Sequence, residues 1–217
     1  MSAPDAPERP QIYLVTPPEV SLSQFPPLLT ACLERVDVAC IRLSLSSADE
    51  GQIARTADAL REIAHGRDVA IVIERHLALV ERLGLDGVHL PDGARSVRKA
   101  RAALGPDAIV GAHCGASRHE GMTAGEAGAD YVSFGPVGET LLGDGTRAEL
   151  ALFEWWSEMI ELPVVAEGGL DAELVARLAP VADWVAFGAE IWSASDPAEA
   201  LAALAAMLQE RPVPLSS

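Results

Sequence analysis

The sequence predicts a single (β/α)8 barrel, a TIM barrel of the α/β class, on three observations. Short apolar runs recur eight times along the chain, amphipathic stretches rich in Ala, Leu, Glu and Arg separate them, and the last two runs break into glycine. Strands buried on both faces read as near-continuous apolar runs, and alternation with helices makes the sheet parallel. The runs are 12–15, 38–43, 69–73, 87–90, 109–112, 131–134, 164–166 and 184–187. Crossover helices fit at 50–64, 94–104, 172–178 and 197–208, with Asp49, Ser96, Asp171 and Asp196 at N-cap positions. Gly66, Gly84, Gly105 and Gly128 stand where helices should stop.

The glycine-ended runs, Pro163-Val-Val-Ala-Glu-Gly-Gly-Leu170 and Trp184-Val-Ala-Phe-Gly188, carry the first functional expectation. In a βα barrel the loops after strands seven and eight hold phosphate, so Gly168, Gly169 and Gly188 are expected to bind one through backbone N–H groups. On that expectation Gly169→Asp abolishes anion binding and leaves the fold intact. A second reading, that these glycines only permit tight βα turns, stays open.

With 217 residues and 49% apolar content the chain suits one barrel at 11–210, between a loose, proline-rich arm at 1–10 and a tail at 211–217. No apolar segment approaches a membrane span and no signal peptide opens the chain, which predicts a cytoplasmic protein with no membrane partner. Cys32, Cys40 and Cys114 lack metal-like spacing and read as reduced, buried thiols. A net charge of −16, from 32 acidic against 16 basic residues, excludes nucleic acid as a partner. The same charge repels a highly anionic small molecule unless a local basic cluster receives it.

Ile12-Tyr-Leu-Val-Thr16, Leu85-Asp-Gly-Val-His-Leu90, Ile109-Val-Gly111, Gly128-Ala-Asp-Tyr-Val132 leading to Gly135-Pro-Val137 and Thr140, and then Pro163-Val-Val-Ala166 with Gly168-Gly169 follow one another in order. Together, over about residues 11–208, they resemble the thiamine-phosphate synthase and thiazole tautomerase family. The resemblance implies a reaction in which a pyrimidine-methyl pyrophosphate is joined to a thiazole phosphate. Mg²⁺ and basic side chains there steady the departing pyrophosphate.

Several positions depart from the family pattern. The Arg and Lys that follow strand two in the family are Ser44 and Ser46, within Arg42-Leu-Ser-Leu-Ser46. The Asn-Asp-Arg after strand three, whose Asp ligates the metal, is Glu74, Arg75 and His76, and the second metal Asp is Ala94. The strand-five Ser is His113, the loop-six Thr-Lys is Leu142-Gly143, and Pro136 replaces the His of the tautomerase branch. Asp92, two positions early, or Glu74 rescues the metal only with an altered geometry. No metal cofactor is therefore expected, and standard synthase activity is not expected either.

The expectation is a synthase-like barrel with a partly retained phosphate cup and a lost Mg²⁺–pyrophosphate site, diverged toward a small phosphorylated or anionic substrate. The candidate catalytic residues are His113, Glu74 and His89, because His and carboxylates at strand ends serve proton transfer. Arg42, Arg75, His76 and Thr140 are the candidate substrate-binding residues, Thr140 on the strength of the resemblance. Glu167, where the family has Ile, is expected to point into solvent or to oppose the ligand. Three alternatives remain: an authentic synthase with relocated ligands, a non-catalytic thiazole or thiamine phosphate binding protein, and a sugar-phosphate epimerase-like enzyme suggested by Ala166-Glu-Gly168. Trp155, Trp156 and Met159 read as one helix's inner face, with one Trp exposed or at a subunit contact, Trp184 and Trp192 as a candidate homodimer surface, and the basic stretch 95–101 as a solvated helix face.

Overall fold

Eight parallel strands close on themselves in chain order in the computed structural model, which describes residues 9–140 and 145–209. They are β1 (Gln11–Val15), β2 (Cys40–Leu43), β3 (Ala70–Glu74), β4 (Gly87–Leu90), β5 (Ile109–His113), β6 (Tyr131–Phe134), β7 (Val164–Glu167) and β8 (Trp184–Phe187). The helices between and after them are α1 (Phe25–Arg35), α2 (Glu50–His65), α3 (Leu77–Leu83), α4 (Val97–Leu104), α5 (Arg118–Glu126), α6 (Leu150–Met159), α7 (Ala172–Leu178), α8 (Ala189–Trp192) and α9 (Pro197–Gln209). The expected (β/α)8 barrel is the observed fold. The proposed arm and tail lie almost wholly outside the described residues.

Three strands run further than their apolar runs. Glu74, His113 and Glu167 end β3, β5 and β7 as polar residues still held in the ladder, so backbone pairing outlasts hydrophobicity at the C-terminal face. At the other ends, β2 begins at Cys40, two residues later than expected, and α4 begins at Val97. Ser96 occupies the α4 N-cap, but its hydroxyl donates to Asp92 at 2.6 Å and caps no amide. Asp49, Asp171 and Asp196 do accept first-turn amides.

Alternate residues of each strand face the barrel axis. Tyr13, Cys40, Val72, Tyr131, Val165 and Ala186 fill the waist. Gly111 is part of this layer by necessity, since a Cβ there would lie 2.1 Å from Tyr131 Cζ. Two residues further along the same strands come Arg42, Glu74, Ser133 and Glu167, with His89 and His113 at the matching positions of β4 and β5. Period-two alternation thus puts a polar ring directly on an apolar plug. The outer strand faces pack against the helices in the main core.

At the N-terminal face one device recurs. Asp86, Asp130 and Asp183, each just before an even-numbered strand, accept the amides of Ile71, Val110 and Val164 in the preceding strand, all at 2.7 Å. Arg101 adds bonds to Asp130 and to the carbonyls of Gly128, Gly105 and Ala108, so this member of the basic stretch is a structural staple. Arg95, Arg98 and Lys99 are exposed.

Of the expected inner face of α6, only Met159 needs correction. Trp156 is buried and donates to Leu162 O, but Met159 is 63% exposed at the end of α6, and Trp155 stacks under the Arg118 guanidinium. Trp184 and Trp192, the residues of the candidate dimer surface, are each half-buried and held within the chain. Trp184 packs edge-on against Tyr131 and donates to Gln11, and Trp192 packs against Phe25 and donates to Val15 O. The three cysteines are free and buried, and burial pushes the Cys40 thiol up to about 12. No helix among the described residues is long and apolar enough to cross a membrane.

Candidate active site

Arg42 is the hub of the polar ring. It is 8% exposed, and its Nη2 donates to Glu167 Oε2 at 2.5 Å while Nη1 donates to His89 Nε2 at 2.8 Å. Its Nε has no hydrogen-bond partner among the described residues and lies 4.0 Å from Glu74 Oε2. Glu74 takes the Ser44 hydroxyl on Oε2 at 2.8 Å and Arg75 Nη2 on Oε1 at 2.8 Å. Glu167 completes the ring. Its Oε1 accepts the Ser133 hydroxyl and His113 Nδ1, each at 2.7 Å. Burial favours the neutral acid, but Arg42 and the His113 hydrogen bond outweigh it and hold this carboxyl well below the usual range. Glu167 therefore does not point into solvent; it is the counter-ion of Arg42.

His89 is correctly placed on β4 but cannot touch a substrate. It is 1% exposed, and burial together with the neighbouring Arg42 charge drives its pKa well below the ordinary value. A guanidinium only donates, so Nε2 is the acceptor and Nδ1 carries the proton, donated to Tyr131 Oη at 2.9 Å. Tyr131 then donates to Tyr13 at 2.7 Å. His89, with both ring nitrogens engaged and 1% exposed, holds Arg42 in place.

A stability change with pH follows from this burial. The unfolded chain binds a proton at His89 below about pH 6.5 while the folded one does not, so this contribution is complete above that pH and declines beneath it, by up to about 1.4 kcal/mol per unit. Glu167 acts in the same direction at lower pH, being lost as pH falls through its depressed folded pKa. Thermal midpoints should drop from pH 7 to pH 5 in wild type and drop less in His89→Gln. A level profile in wild type would contradict the neutral, buried assignment.

Arg75 and His76 lie where the chain leaves the barrel. Arg75 has φ +63°, the left-handed region that a side chain rarely occupies, and His76 N bonds back to Glu74 O while Leu77 N bonds back to Arg75 O. Two consecutive tight turns thus swing Arg75 over Glu74, and His76 becomes the N-cap of α3 without making a cap bond. Both border an outer groove toward Lys99 of α4. Thr140 is exposed on the loop after β6. Leu142 and Gly143 lie outside the described residues.

The loops after β7 and β8 serve two purposes. Gly168 and Gly169 have φ +87° and +68°, and a Cβ on Gly169 would lie 2.6 Å from Glu139 O. These glycines bring the loop after β7 against the loop after β6, where Val137 N and Gly138 N bond Gly168 O. Gly169→Asp would therefore force these loops apart, which corrects the expectation that the fold stays intact. An anion already occupies the cup: Glu190 accepts Gly188 N at 2.8 Å and Leu170 N at 3.1 Å.

No group of three or more His, Cys, Asp or Glu side chains among the described residues could hold a metal ion. Glu74 takes bonds from Ser44 and Arg75, and Asp92 takes one from Ser96 on Oδ2, its buried Oδ1 having no hydrogen-bond partner among the described residues.

A closed barrel with a charged, hydrogen-bonded ring at the C-terminal ends of its strands is the architecture of a barrel enzyme. Residues 12–195 match the family model described as thiamine monophosphate synthase, and the chain belongs to that family. It is 41% identical over 195 residues to the thiamine-phosphate synthase of Rhodospirillum centenum, covering 88% of this chain and 94% of that one. It is 40% identical over 210 residues to that of Hyphomonas neptunium, covering 93% and 95%. Among solved structures, thiamine phosphate pyrophosphorylase from Pyrococcus furiosus superposes with a TM-score of 0.80 at 22% identity, over 92% of this chain and 95% of that one. KGPDC from Streptococcus mutans superposes at 0.71 and 17%, over 92% and 97%, a likeness of fold alone.

These relatives overturn the expectation of a diverged, non-synthase function. Chains bearing the synthase name are about as long as this one and share two-fifths of its residues, and nothing in them points to another reaction. The residues missed from the sequence were Glu167 as a ring member, Ser133 as its partner and Tyr131 as the partner of His89. Strand parity was the available signal, because Glu167 follows Val165 and Ser133 follows Tyr131 at an inward spacing of two.

Proposed function

We propose that the chain is a thiamine-phosphate synthase, joining a pyrimidine-methyl pyrophosphate to a thiazole phosphate at the C-terminal mouth of the barrel. Its near-full-length similarity to chains of that name carries the reading. The ring supports it physically, since Arg42 is a buried, permanently charged group balanced by Glu167, with Nε lacking a hydrogen-bond partner among the described residues, so the polar ring beneath the mouth needs little reorganisation to meet a pyrophosphate. Arg75 and Thr140, both exposed, are the side chains proposed to meet the anionic substrates, with His76 next to Arg75; Glu74 and His89 hold Arg75 and Arg42 in place. Purified protein given both substrates and Mg²⁺ should form thiamine phosphate through many turnovers, read by chromatography of the product. Less than one product per protein over hours would overturn the reading.

The metal, on this reading, arrives with the pyrophosphate and is not held by the protein beforehand, consistent with the dispersed carboxylates. Calorimetry with Mg²⁺ alone should show no saturable site at millimolar concentration, and a one-site isotherm would assign one to Asp92 or Glu74.

The thiazole phosphate is proposed to take the loops after β7 and β8, displacing Glu190 from the amides of Gly188 and Leu170. Glu190→Ala removes the internal competitor. Inorganic phosphate should then bind at least fivefold tighter in an NMR titration, and equal or weaker binding would place the phosphate elsewhere.

A further inference from the structure

We infer that His113 is the acid that protonates the departing pyrophosphate, with Glu167 as the positioning residue that couples it to Arg42; the inference rests on the synthase reading and deepens it. The geometry fixes the chemistry of the ring. Glu167 is ionised and only accepts, so His113 Nδ1, 2.7 Å from Oε1, carries a proton. Ser133 spends its own hydroxyl proton on the same carboxylate oxygen, leaving its lone pairs toward His113 Nδ1 at 3.0 Å. Both contacts hold the imidazole by one edge. Nε2 has no hydrogen-bond partner among the described residues, and the side chain is 31% exposed at the mouth. It is the ring nitrogen left to meet a ligand.

Charge balance points the same way. Within the polar ring and its rim, Arg42 and Arg75 are matched by Glu74 and Glu167. The assembly is neutral until His113 takes a proton, and it gains a positive charge only then. The titratable and charged groups facing His113 are Glu167 from β7, Arg42 from β2 behind it and His89 from β4, while Glu120 of α5 lies over the neighbouring loop at Ala94 N. His89 stays neutral, so it does not oppose protonation of its neighbour at working pH.

In the proposed step the bond between the pyrimidine methylene carbon and the pyrophosphate oxygen breaks, and its electron pair goes to that oxygen. The proton on His113 Nε2 moves to the same oxygen, leaving neutral imidazole. The lone pair of the thiazole nitrogen forms the new C–N bond, and the imidazole recovers its proton from solvent after pyrophosphate leaves. The strand-five hydroxyl of the family is thus replaced here by a group that supplies both a charge and a proton.

The experiment compares wild type with His113→Ala and His113→Gln in steady-state and single-turnover assays, with thermal midpoints confirming that both variants fold. The kcat should fall about a hundredfold or more while KM for either substrate changes less than threefold. The alkaline limb of the wild-type kcat profile, where the imidazolium is lost, should disappear in both variants, and added imidazole should restore part of the His113→Ala rate. A wild type that turns over with variants within threefold of it, or variants that retain the alkaline limb, overturns the inference and leaves the synthase reading standing. A wild type that makes no thiamine phosphate overturns the reading, and the inference with it.

Discussion

Arg42→Met should cost about 3–5 kcal/mol of stability and abolish turnover, the larger of the two losses expected from single substitutions in this chain. The side chain is of similar length, so packing changes little, but Glu167 loses its cation and Glu74 keeps only the exposed Arg75. Glu167 would face only Ser133 and His113, and Glu74 only Ser44 and Arg75. His89 Nε2 would lose its donor as well, freeing the ring to change tautomer and release Tyr131. Against a total stability of about 5–15 kcal/mol for an ordinary domain, such a loss brings the protein close to unfolding at room temperature. Much of it is the cost of a stranded charge, so the Arg42→Met, Glu167→Gln double variant should be more stable than Arg42→Met alone. Urea unfolding of the two single variants and the double measures this coupling. A single variant within 1 kcal/mol of wild type would mean that Arg42 is not the counter-ion it is described to be.

Gly111→Ala is the second. One methyl group at the barrel waist would place a carbon 2.1 Å from Tyr131 Cζ and 2.4 Å from its hydroxyl oxygen. Overpacked cores commonly lose about 1–3 kcal/mol because neighbours retreat. Here the neighbour cannot retreat cheaply, since Tyr131 is hydrogen-bonded to His89 and Tyr13 and wedged edge-on against Trp184. A loss above 3 kcal/mol is expected, seen as a fall in the denaturation midpoint and in soluble yield. Tyr131→Leu removes the offending atoms, so the double variant should be more stable than the two separate losses predict. Additive losses would show that the alanine is accommodated by backbone movement instead.

The frame was legible because burial on both sides writes itself into composition. The runs at 87–90, 131–134 and 184–187 coincide with β4, β6 and β8, and the capping aspartates Asp49 and Asp171 do what their positions predict. The ring was less legible. His113, Glu74, Arg42 and His89 stand out as polar residues at strand ends, but composition does not reveal that Arg42 bonds Glu167 across the barrel, 125 positions away. Glu167 was misjudged because it adjoins a glycine loop, and its role depends on a cation contributed by another strand. Glu190 was invisible for a similar reason: a carboxylate on the first turn of a short helix has no sequence mark that it bends back onto two loop amides. Counting substituted ligand positions exaggerated the difference from the family, since positions compared one at a time do not register charges redistributed among strands.

The aspartates at the opposite face separate inheritance of shape from inheritance of chemistry. Asp86, Asp130 and Asp183 clasp β3 to β4, β5 to β6 and β7 to β8 at the ends remote from the mouth. Each clasp sets the register of a two-stranded cassette from below, by a bond that involves no residue of the polar ring. Ser44, Arg75, Ala94 and His113 can therefore be exchanged by mutation without disturbing the register on which the barrel depends. A barrel built from such cassettes can change its upper rim one position at a time while the frame beneath it stays in place.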